Sequence, residues 1–84
     1  MASVIDMELS FGEKLRLLRE ETELNQTELG KAVNMTQRKV SYLELGKYEP
    51  SMDDMRALCI FFQVSADYFL GFKERLPYPK RSKK

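Results

Sequence analysis

The chain has 84 residues, of which 43% are hydrophobic and 32% charged, with one cysteine and no histidine. A chain of this length forms one small domain, a single cysteine excludes an internal disulfide, and the lack of histidine leaves no plausible zinc site. No apolar run approaches the roughly 20 residues that span a membrane, and the N-terminal residues lack the pattern of a secretory signal. We therefore expect a cytoplasmic protein without a metal or another cofactor.

The net charge of +1 hides an uneven distribution along the chain. Residues 1–71 carry eight Lys and Arg against twelve Asp and Glu, whereas residues 72–84 carry six against one. Together with the helix signals below, this predicts an N-terminal extension at 1–9, a globular domain at 10–71 and a basic C-terminal tail at 72–84. We expect short flexible ends, with the proline-containing tail extended and partly disordered. For the N-terminal extension the alternative is that Val4 and Ile5 pack on the domain or on a second subunit.

The first helix is predicted to begin after Ser10. Ser10 can cap a helix, and Glu13, three residues later, completes a capping box. Phe11, Leu15 and Leu18 follow at spacings of three and four, which places them on one side of the helix. We expect this apolar side to face the core.

Two short helices joined by a tight turn are predicted between residues 24 and 51. Asn25 can cap the first of them, and Asn34 tolerates the left-handed conformation that ends a helix. Thr36 can cap the second, Gln37–Leu45, and Gly46 supplies the left-handed residue that ends it. This order of signals predicts a pair of helices that pack against each other.

The second helix of this pair has Val40, Leu43 and Glu44 as its inward positions. Gly30, in the first helix, is unusual because a glycine inside a helix lowers its stability by about 1 kcal/mol. A missing side chain there leaves room for a close neighbour. We therefore expect the second helix to cross closely over the first at Gly30.

Two further helices are predicted near the end of the domain. Ser51 can cap a fourth helix with Asp54 in its first turn, and Ser65 can cap a fifth, Ala66–Leu70, that Gly71 ends. The core residues expected from these two helices are Met52, Met55, Leu58, Cys59, Phe62, Tyr68, Phe69 and Leu70.

Ile60 and Phe61 extend the apolar surface of the fourth helix beyond a single core-facing stripe. An exposed remainder of this kind is a candidate subunit interface. Alternatively, the two side chains form a lid over the core.

A helix, a short turn and a second helix form the helix-turn-helix unit, whose second helix can lie in the DNA major groove. The segment from Leu24 to Ser51, LNQTELGKAVNMTQRKVSYLELGKYEPS, resembles the Cro/CI-type (XRE) helix-turn-helix family of phage and bacterial repressors. With its flanking helices the resemblance covers about residues 11–71, and it implies an all-α, compact, five-helix, lambda-repressor-like domain. Asn34 stands where that family commonly has Gly, and Gly30 where it commonly has Ala; both are compatible with the fold.

The resemblance makes Gln37–Leu45 the recognition helix. Its outward positions are Gln37, Arg38, Ser41 and Tyr42, and a Gln can bind adenine, an Arg guanine, and the methyl group of Thr36 a thymine methyl. Of these, Gln37, Arg38 and Tyr42 match the base-reading positions of the family. The predicted base contacts are therefore Gln37, Arg38, Tyr42, Thr36 and Ser41.

Other polar residues are expected to position the domain on the DNA backbone. The start of a helix presents free backbone N–H groups to a phosphate, and the Gln26 amide can bind both a phosphate and Gln37. The predicted phosphate contacts are Asn25, Gln26, Lys39, Lys47 and Tyr48. The basic tail either adds to these contacts as an arm or only keeps the chain soluble.

The resemblance also implies an ion pair between Arg19 of the first helix and Glu44 of the recognition helix. Such a partly buried pair would fix the orientation of the helices more than it adds net stability, because desolvation offsets the attraction. The alternative is that the two residues are unrelated surface charges.

The leading hypothesis is a nucleoid-associated, sequence-specific transcriptional regulator that binds double-stranded DNA. We expect a repressor acting as a homodimer on a palindromic operator, with no small-molecule ligand and no membrane contact. A phage repressor, a restriction–modification controller and an antitoxin with a protein partner all fit this pattern.

The alternative is a protein-interaction module in which DNA binding is secondary or absent. The acidic body and the pair Ile60 and Phe61 support it. An enzyme has the least support, since the chain has no histidine and no Gly-rich phosphate loop.

Overall fold

The computed structural model describes residues 9–71, which form five α-helices and no strand. The predicted all-α, five-helix fold is thereby confirmed. The predictions for the ends of the chain concern residues 1–8 and 72–84, which lie outside the described residues. The helices are α1 (Phe11–Glu21), α2 (Gln26–Val33), α3 (Gln37–Leu45), α4 (Met52–Phe62) and α5 (Ala66–Leu70).

The helices begin where local side-chain chemistry predicts. Three of them begin with a capping box. In each box, the side chain of the capping residue accepts a hydrogen bond from the backbone N–H three residues later, and the side chain of that later residue accepts one from the backbone N–H of the capping residue. In α3 the cap is one-sided, and Ser65 before α5 makes no side-chain cap bond at all, contrary to expectation. The boxes are Ser10 with Glu13, Asn25 with Glu28, and Ser51 with Asp54.

Left-handed residues end four of the helices. Asn34 and Gly46 adopt φ values of 62° and 80°, as their positions predict, and Gly71 adopts 83°. Gln63 ends α4 at φ 59°, a conformation that non-glycine residues seldom adopt. The sequence gives no signal for this last ending, because Gln is not among the residues that favour it.

The core lies where all five helices meet, and each contributes at least one buried apolar side chain. α3 packs against both α1 and α2, while α5 closes the far side against α1 and α4. The Phe11 and Phe69 rings lie 5.0 Å apart between α1 and α5. The buried apolar residues are Leu15, Leu29, Val33, Val40, Leu43, Leu58 and Phe69.

Two glycines allow close backbone approaches. A Cβ atom on Gly12 would lie 2.3 Å from Glu44 O, so α1 crosses α3 with almost no space between the backbones. A Cβ atom on Gly30 would lie 2.4 Å from Met35 O, which belongs to the turn. The expectation that α3 crosses over Gly30 is therefore wrong: the turn needs the space there, and the close crossing is at Gly12.

Two residues predicted to lie in the core are exposed. Met52 is 88% exposed because it is two residues, or about 200° of helix rotation, from the buried Asp54. Leu70 is 59% exposed and follows directly on the buried Phe69, so its side chain points to another side of the short α5. Ile60 is also exposed, which leaves part of the apolar surface of α4 uncovered.

Lys14 is the largest fully buried side chain of the described residues. Its Nζ atom donates to Tyr68 O at 2.6 Å and lies 5.1 Å from the centre of the Tyr68 ring. The ammonium group therefore satisfies a carbonyl near the end of α5 and ties this helix to α1. Sequence reasoning missed this contact, because lysine is rarely buried.

Within residues 9–71, no helix is long and apolar enough to cross a membrane. The same part of the chain has no group of three or more His, Cys, Asp or Glu side chains placed to hold a metal ion.

Candidate nucleic-acid interface

The turn between α2 and α3 determines which side chains begin α3. Asn34 adopts the left-handed conformation and ends α2. The Thr36 hydroxyl then accepts a hydrogen bond from Lys39 N at 3.0 Å, so α3 starts directly after the turn. As a result, Gln37 and Arg38 are exposed in the first turn of α3.

An ion pair joins α1 to α3. Arg19 Nε donates to Glu44 Oε2 at 2.6 Å, and Arg19 Nη2 donates to Glu44 Oε1 at 3.1 Å. The side chains are only 12% and 4% exposed, and the hydrogen bond to Glu44 raises the pKa of the Arg19 guanidinium. Arg19 Nη1 also donates to Leu24 O at 2.9 Å, just before α2. One guanidinium thus fixes α1, α3 and the start of α2 relative to one another.

The same carboxylate orients a chain of two amides that ends at Gln37. Gln26 Nε2 donates to Glu44 Oε1 at 3.0 Å, and Gln37 Nε2 donates to Gln26 Oε1 at 2.6 Å. A carboxylate can only accept, so Gln26 must present its NH₂ group to Glu44 and its oxygen to Gln37. The orientation of the Gln37 amide is therefore set by Glu44 in the interior, which leaves its oxygen and one N–H for a ligand.

The outer surface of α3 combines exposed and half-buried polar groups. Gln37 and Arg38 are exposed, whereas Ser41 and Tyr42 are half-buried further along the helix. The Thr36 hydroxyl is engaged in the cap, which leaves its methyl group for an apolar contact. The structure thus brings the five predicted base-contact residues together at α3 and the residue before it.

An aromatic cluster lies at the C-terminal end of α3. The Tyr48 ring meets the Tyr42 ring edge-on, with centroids 5.1 Å apart. Lys47 Nζ lies 5.6 Å from the centre of the Tyr42 ring, within the range of a cation–π contact. Tyr42 is therefore held between Tyr48 and Lys47.

The start of α2 offers backbone donors near α3. Asn25 Oδ1 accepts from Glu28 N at 2.7 Å, and Glu28 Oε1 accepts from Asn25 N at 2.8 Å. The Asn25 oxygen is thus used by the capping box. The N–H groups of Gln26 and Thr27, in the first turn, have no acceptor within the helix and can reach an anion.

A sequence-family model described as a helix-turn-helix domain matches residues 10–68. The chain belongs to the helix-turn-helix family, in its Cro/CI-type branch. The P22 c2 repressor, crystallised with a synthetic operator, has 31% sequence identity to this chain. The two structures match with a TM-score of 0.70, and the match covers 73% of this chain and 92% of the repressor chain. The solution structure of the P22 c2 DNA-binding domain is 32% identical, with a TM-score of 0.70 over 75% and 83%.

A more distant match is the crystal structure of Bacillus thuringiensis PlcR in complex with the peptide PapR7 and DNA. It is 26% identical, with a TM-score of 0.67, and the match covers 73% of this chain but only 21% of PlcR. No curated protein sequence matches this chain. The solved structures therefore agree with the helix-turn-helix fold over the described helices.

Lys39 of this helix-turn-helix domain is engaged within the chain. Its Nζ atom donates to Asp54 Oδ1 at 2.9 Å, which joins α3 to the first turn of α4. Burial raises the pKa of the Asp54 carboxyl, but the hydrogen bonds from Lys39 and Ser51 outweigh it, so the net pKa is lowered. Lys39 can therefore contact a phosphate only when its ammonium group leaves Asp54, or when it donates to the Asp54 carboxylate and to the phosphate at the same time.

Sequence reasoning missed two features of the interface, the pair of Lys39 with Asp54 and the ring contact of Tyr42 with Tyr48. Lys39 and Asp54 are 15 residues apart on different helices, so no periodicity connects them. The sequence signal for this pair is limited to the opposite charges of the two residues near the starts of successive helices. The sequence predicts a phosphate contact for Tyr48, whereas its packing against Tyr42 depends on the path that the chain takes after Gly46.

Proposed function

We propose that the chain is a sequence-specific transcriptional regulator, a repressor that binds a palindromic operator as a homodimer with α3 in the major groove. The P22 c2 repressor, which is 31% identical over 73% of this chain, was solved in complex with an operator. The fold of that repressor is similar to the fold of this chain. The relationship supports DNA as the ligand of the surface described above.

The observation that carries this proposal is the hydrogen-bonded chain from Glu44 through Gln26 to Gln37. Base readout needs a side chain whose donor and acceptor are held in a fixed orientation. Gln37 is exposed yet oriented by a buried carboxylate, and Arg38 lies beside it. A solvated surface glutamine needs no such support.

The proposal assigns the remaining contacts as follows. Base edges are read by Gln37, Arg38 and Tyr42, and further base contacts are made by Thr36 and Ser41. The proposed phosphate contacts are Asn25 and Gln26 at the start of α2, Lys47 and Tyr48 after α3, and Lys39 in exchange with Asp54.

A homodimer is proposed because one small domain inserts only one recognition helix. Two copies related by a two-fold axis would place their α3 helices in half-sites about 34 Å apart, one helical turn of DNA. An inverted-repeat operator is the DNA counterpart of this symmetry. Occupying a promoter in this way would block transcription.

Selection of bound fragments from a random double-stranded DNA library tests the proposal. The wild type should enrich an inverted repeat, and the double variant Gln37→Ala, Arg38→Ala should enrich none. Arg16→Ala is the matched control, since Arg16 is an exposed cation on α1 whose contact is with Glu20. This control should enrich the same repeat as the wild type.

Failure of the wild type to enrich any sequence would contradict the proposal. It would favour the second candidate, a protein-interaction module, which the exposed Met52 and Ile60 support. Enrichment by the double variant equal to that of the wild type would instead place base readout outside the start of α3.

A further inference from the structure

The first turn of α3 carries two cations that differ in their surroundings. Lys39 Nζ donates to Asp54 Oδ1 at 2.9 Å, across the contact between α3 and the start of α4. The neighbouring Arg38 is exposed, and its side chain makes no ion pair or hydrogen bond among the described residues. The two cations are therefore not equivalent toward a DNA phosphate.

The Asp54 carboxylate is held in place by the start of α4. Its Oδ2 atom accepts from Ser51 N at 3.0 Å, and Asp54 N donates to Ser51 Oγ at 3.0 Å. Asp54 is only 8% exposed, so its carboxylate cannot follow Lys39 outward without breaking this capping box. The carboxylate is thus a fixed acceptor for the ammonium group.

The Lys39 side chain remains accessible from outside. It is 37% exposed, compared with 11% for the Asp54 side chain. The ammonium group has three N–H donors, of which Asp54 Oδ1 accepts one. A phosphate can take a second donor, but drawing the ammonium group away from Asp54 would leave a nearly buried carboxylate without its cation, which is costly.

A cation that is paired in this way adds less to sequence-independent DNA binding than a free one. Lysine and arginine increase the affinity for any DNA because they neutralise phosphates and release counterions. The charge of Asp54 offsets part of the attraction between Lys39 and the DNA backbone. Neither Arg38 nor Lys47 is paired with an acid among the described residues.

We propose that Asp54 is a positioning residue that restrains Lys39 and thereby lowers the affinity of this surface for DNA of any sequence. Asp54 touches no DNA and acts only through Lys39. An operator complex is held in one register by base contacts and depends less on Lys39, so the restraint raises the ratio of operator to non-operator affinity. This proposal rests on the proposed function, because it concerns the same DNA-binding surface.

The salt dependence of binding to DNA without an operator tests the restraint. At about 0.1 M salt, Asp54→Asn should raise this affinity at least about threefold, and operator affinity less. It should also steepen the slope of log affinity against log salt by up to about 0.9, the value of one added phosphate contact. Asp53→Asn is the matched control, since it removes the same charge from the first turn of α4 but no ion pair joins Asp53 to Lys39. The control should keep the slope of the wild type.

The Lys39→Met background separates the restraint from other effects of Asp54. There, Asp54→Asn should leave the slope unchanged and raise the affinity no more than Asp53→Asn does, because the cation that it would release is absent. A purely structural link between α3 and α4 predicts instead that Asp54→Asn weakens DNA binding or leaves its salt slope unchanged. Thermal unfolding of each variant checks that it is folded.

Three outcomes would overturn the proposal: equal slopes for Asp54→Asn and Asp53→Asn, the same steepening in the Lys39→Met background, or an equal rise in affinity on operator and non-operator DNA. Any of these in a chain that still selects an operator would refute the restraint alone. A wild type that binds DNA without selecting a sequence would refute the sequence-specific regulator, while the slopes would still decide the restraint. A wild type that binds no DNA would overturn both.

Discussion

Tyr48 shows how a residue beside the interface can act through its neighbour. Its ring packs edge-on against Tyr42 at 5.1 Å, and it is 48% exposed. Two roles are therefore possible for it at the interface, a phosphate contact through the hydroxyl group or support of the Tyr42 ring. Edge-on ring pairs contribute about 0.5–1.5 kcal/mol, enough to hold a half-exposed ring in one orientation.

Substitution of Tyr48 separates these roles. If the ring supports Tyr42, Tyr48→Phe should keep the affinity and base preference of the wild type, whereas Tyr48→Leu should relax the preference at the base pair that Tyr42 reads. Binding to a panel of operators with single base-pair changes measures this. An equal loss for Tyr48→Phe and Tyr48→Leu on every DNA would assign the hydroxyl to a phosphate.

At the scale of the elements, the contact of α1 with α3 depends on Gly12. A Cβ atom there would lie 2.3 Å from Glu44 O and 2.6 Å from Leu43 O, both backbone atoms. We expect Gly12→Ala to lower the free energy of unfolding by about 1–3 kcal/mol, because overpacking outweighs the helix propensity of Ala. Urea unfolding measures this. The control is the reverse substitution at an exposed helical site, Ala32→Gly, which measures the difference in helix propensity alone. If Gly12→Ala stabilised the chain by that amount, the close crossing of α1 and α3 would be excluded.

The pair of Lys39 with Asp54 joins α3 to α4 and makes the stability depend on pH. The pKa of Asp54 is lower in the folded state, so its ionised form contributes stability above the unfolded pKa of about 3.9, and this is lost as the pH falls through the folded value. Asp54→Asn keeps a capping side chain but should lose less stability than the wild type on acidification below about pH 5. Urea unfolding at several pH values tests this. A curve for Asp54→Asn that follows the wild type would contradict the account.

The helix starts and the helix pair around the turn could be predicted because their signals are local. A Ser, Thr or Asn before an apolar pattern caps a helix whatever the rest of the chain does, and Asn34 and Gly46 end helices for equally local reasons. The predicted burial of Met52 and Leu70 is wrong because burial depends on which side of a helix the neighbouring elements cover. The contacts of Gly12 and Lys14 could not be predicted, because they depend on how α1 meets helices far along the chain.

For the whole molecule, charge distribution and the proposed function have to be reconciled. Residues 1–71 carry more acids than bases, yet Arg38 and Lys47 lie on or beside α3. This excess of acids predicts a low sequence-independent affinity of residues 1–71 for DNA. On the proposed function, base contacts and a dimer would then supply most of the preference for an operator.

The most direct test of whether α3 reads the DNA sequence is a comparison of affinities. The wild type and Arg38→Ala are each measured on the selected operator and on operators with each base pair changed in turn. Arg38→Ala should lose about 1–3 kcal/mol on the operator and become indifferent to one base pair in each half-site, while its affinity for non-operator DNA changes little. An equal loss on operator and non-operator DNA, with every base preference retained, would contradict readout by Arg38 and reassign it to the DNA backbone.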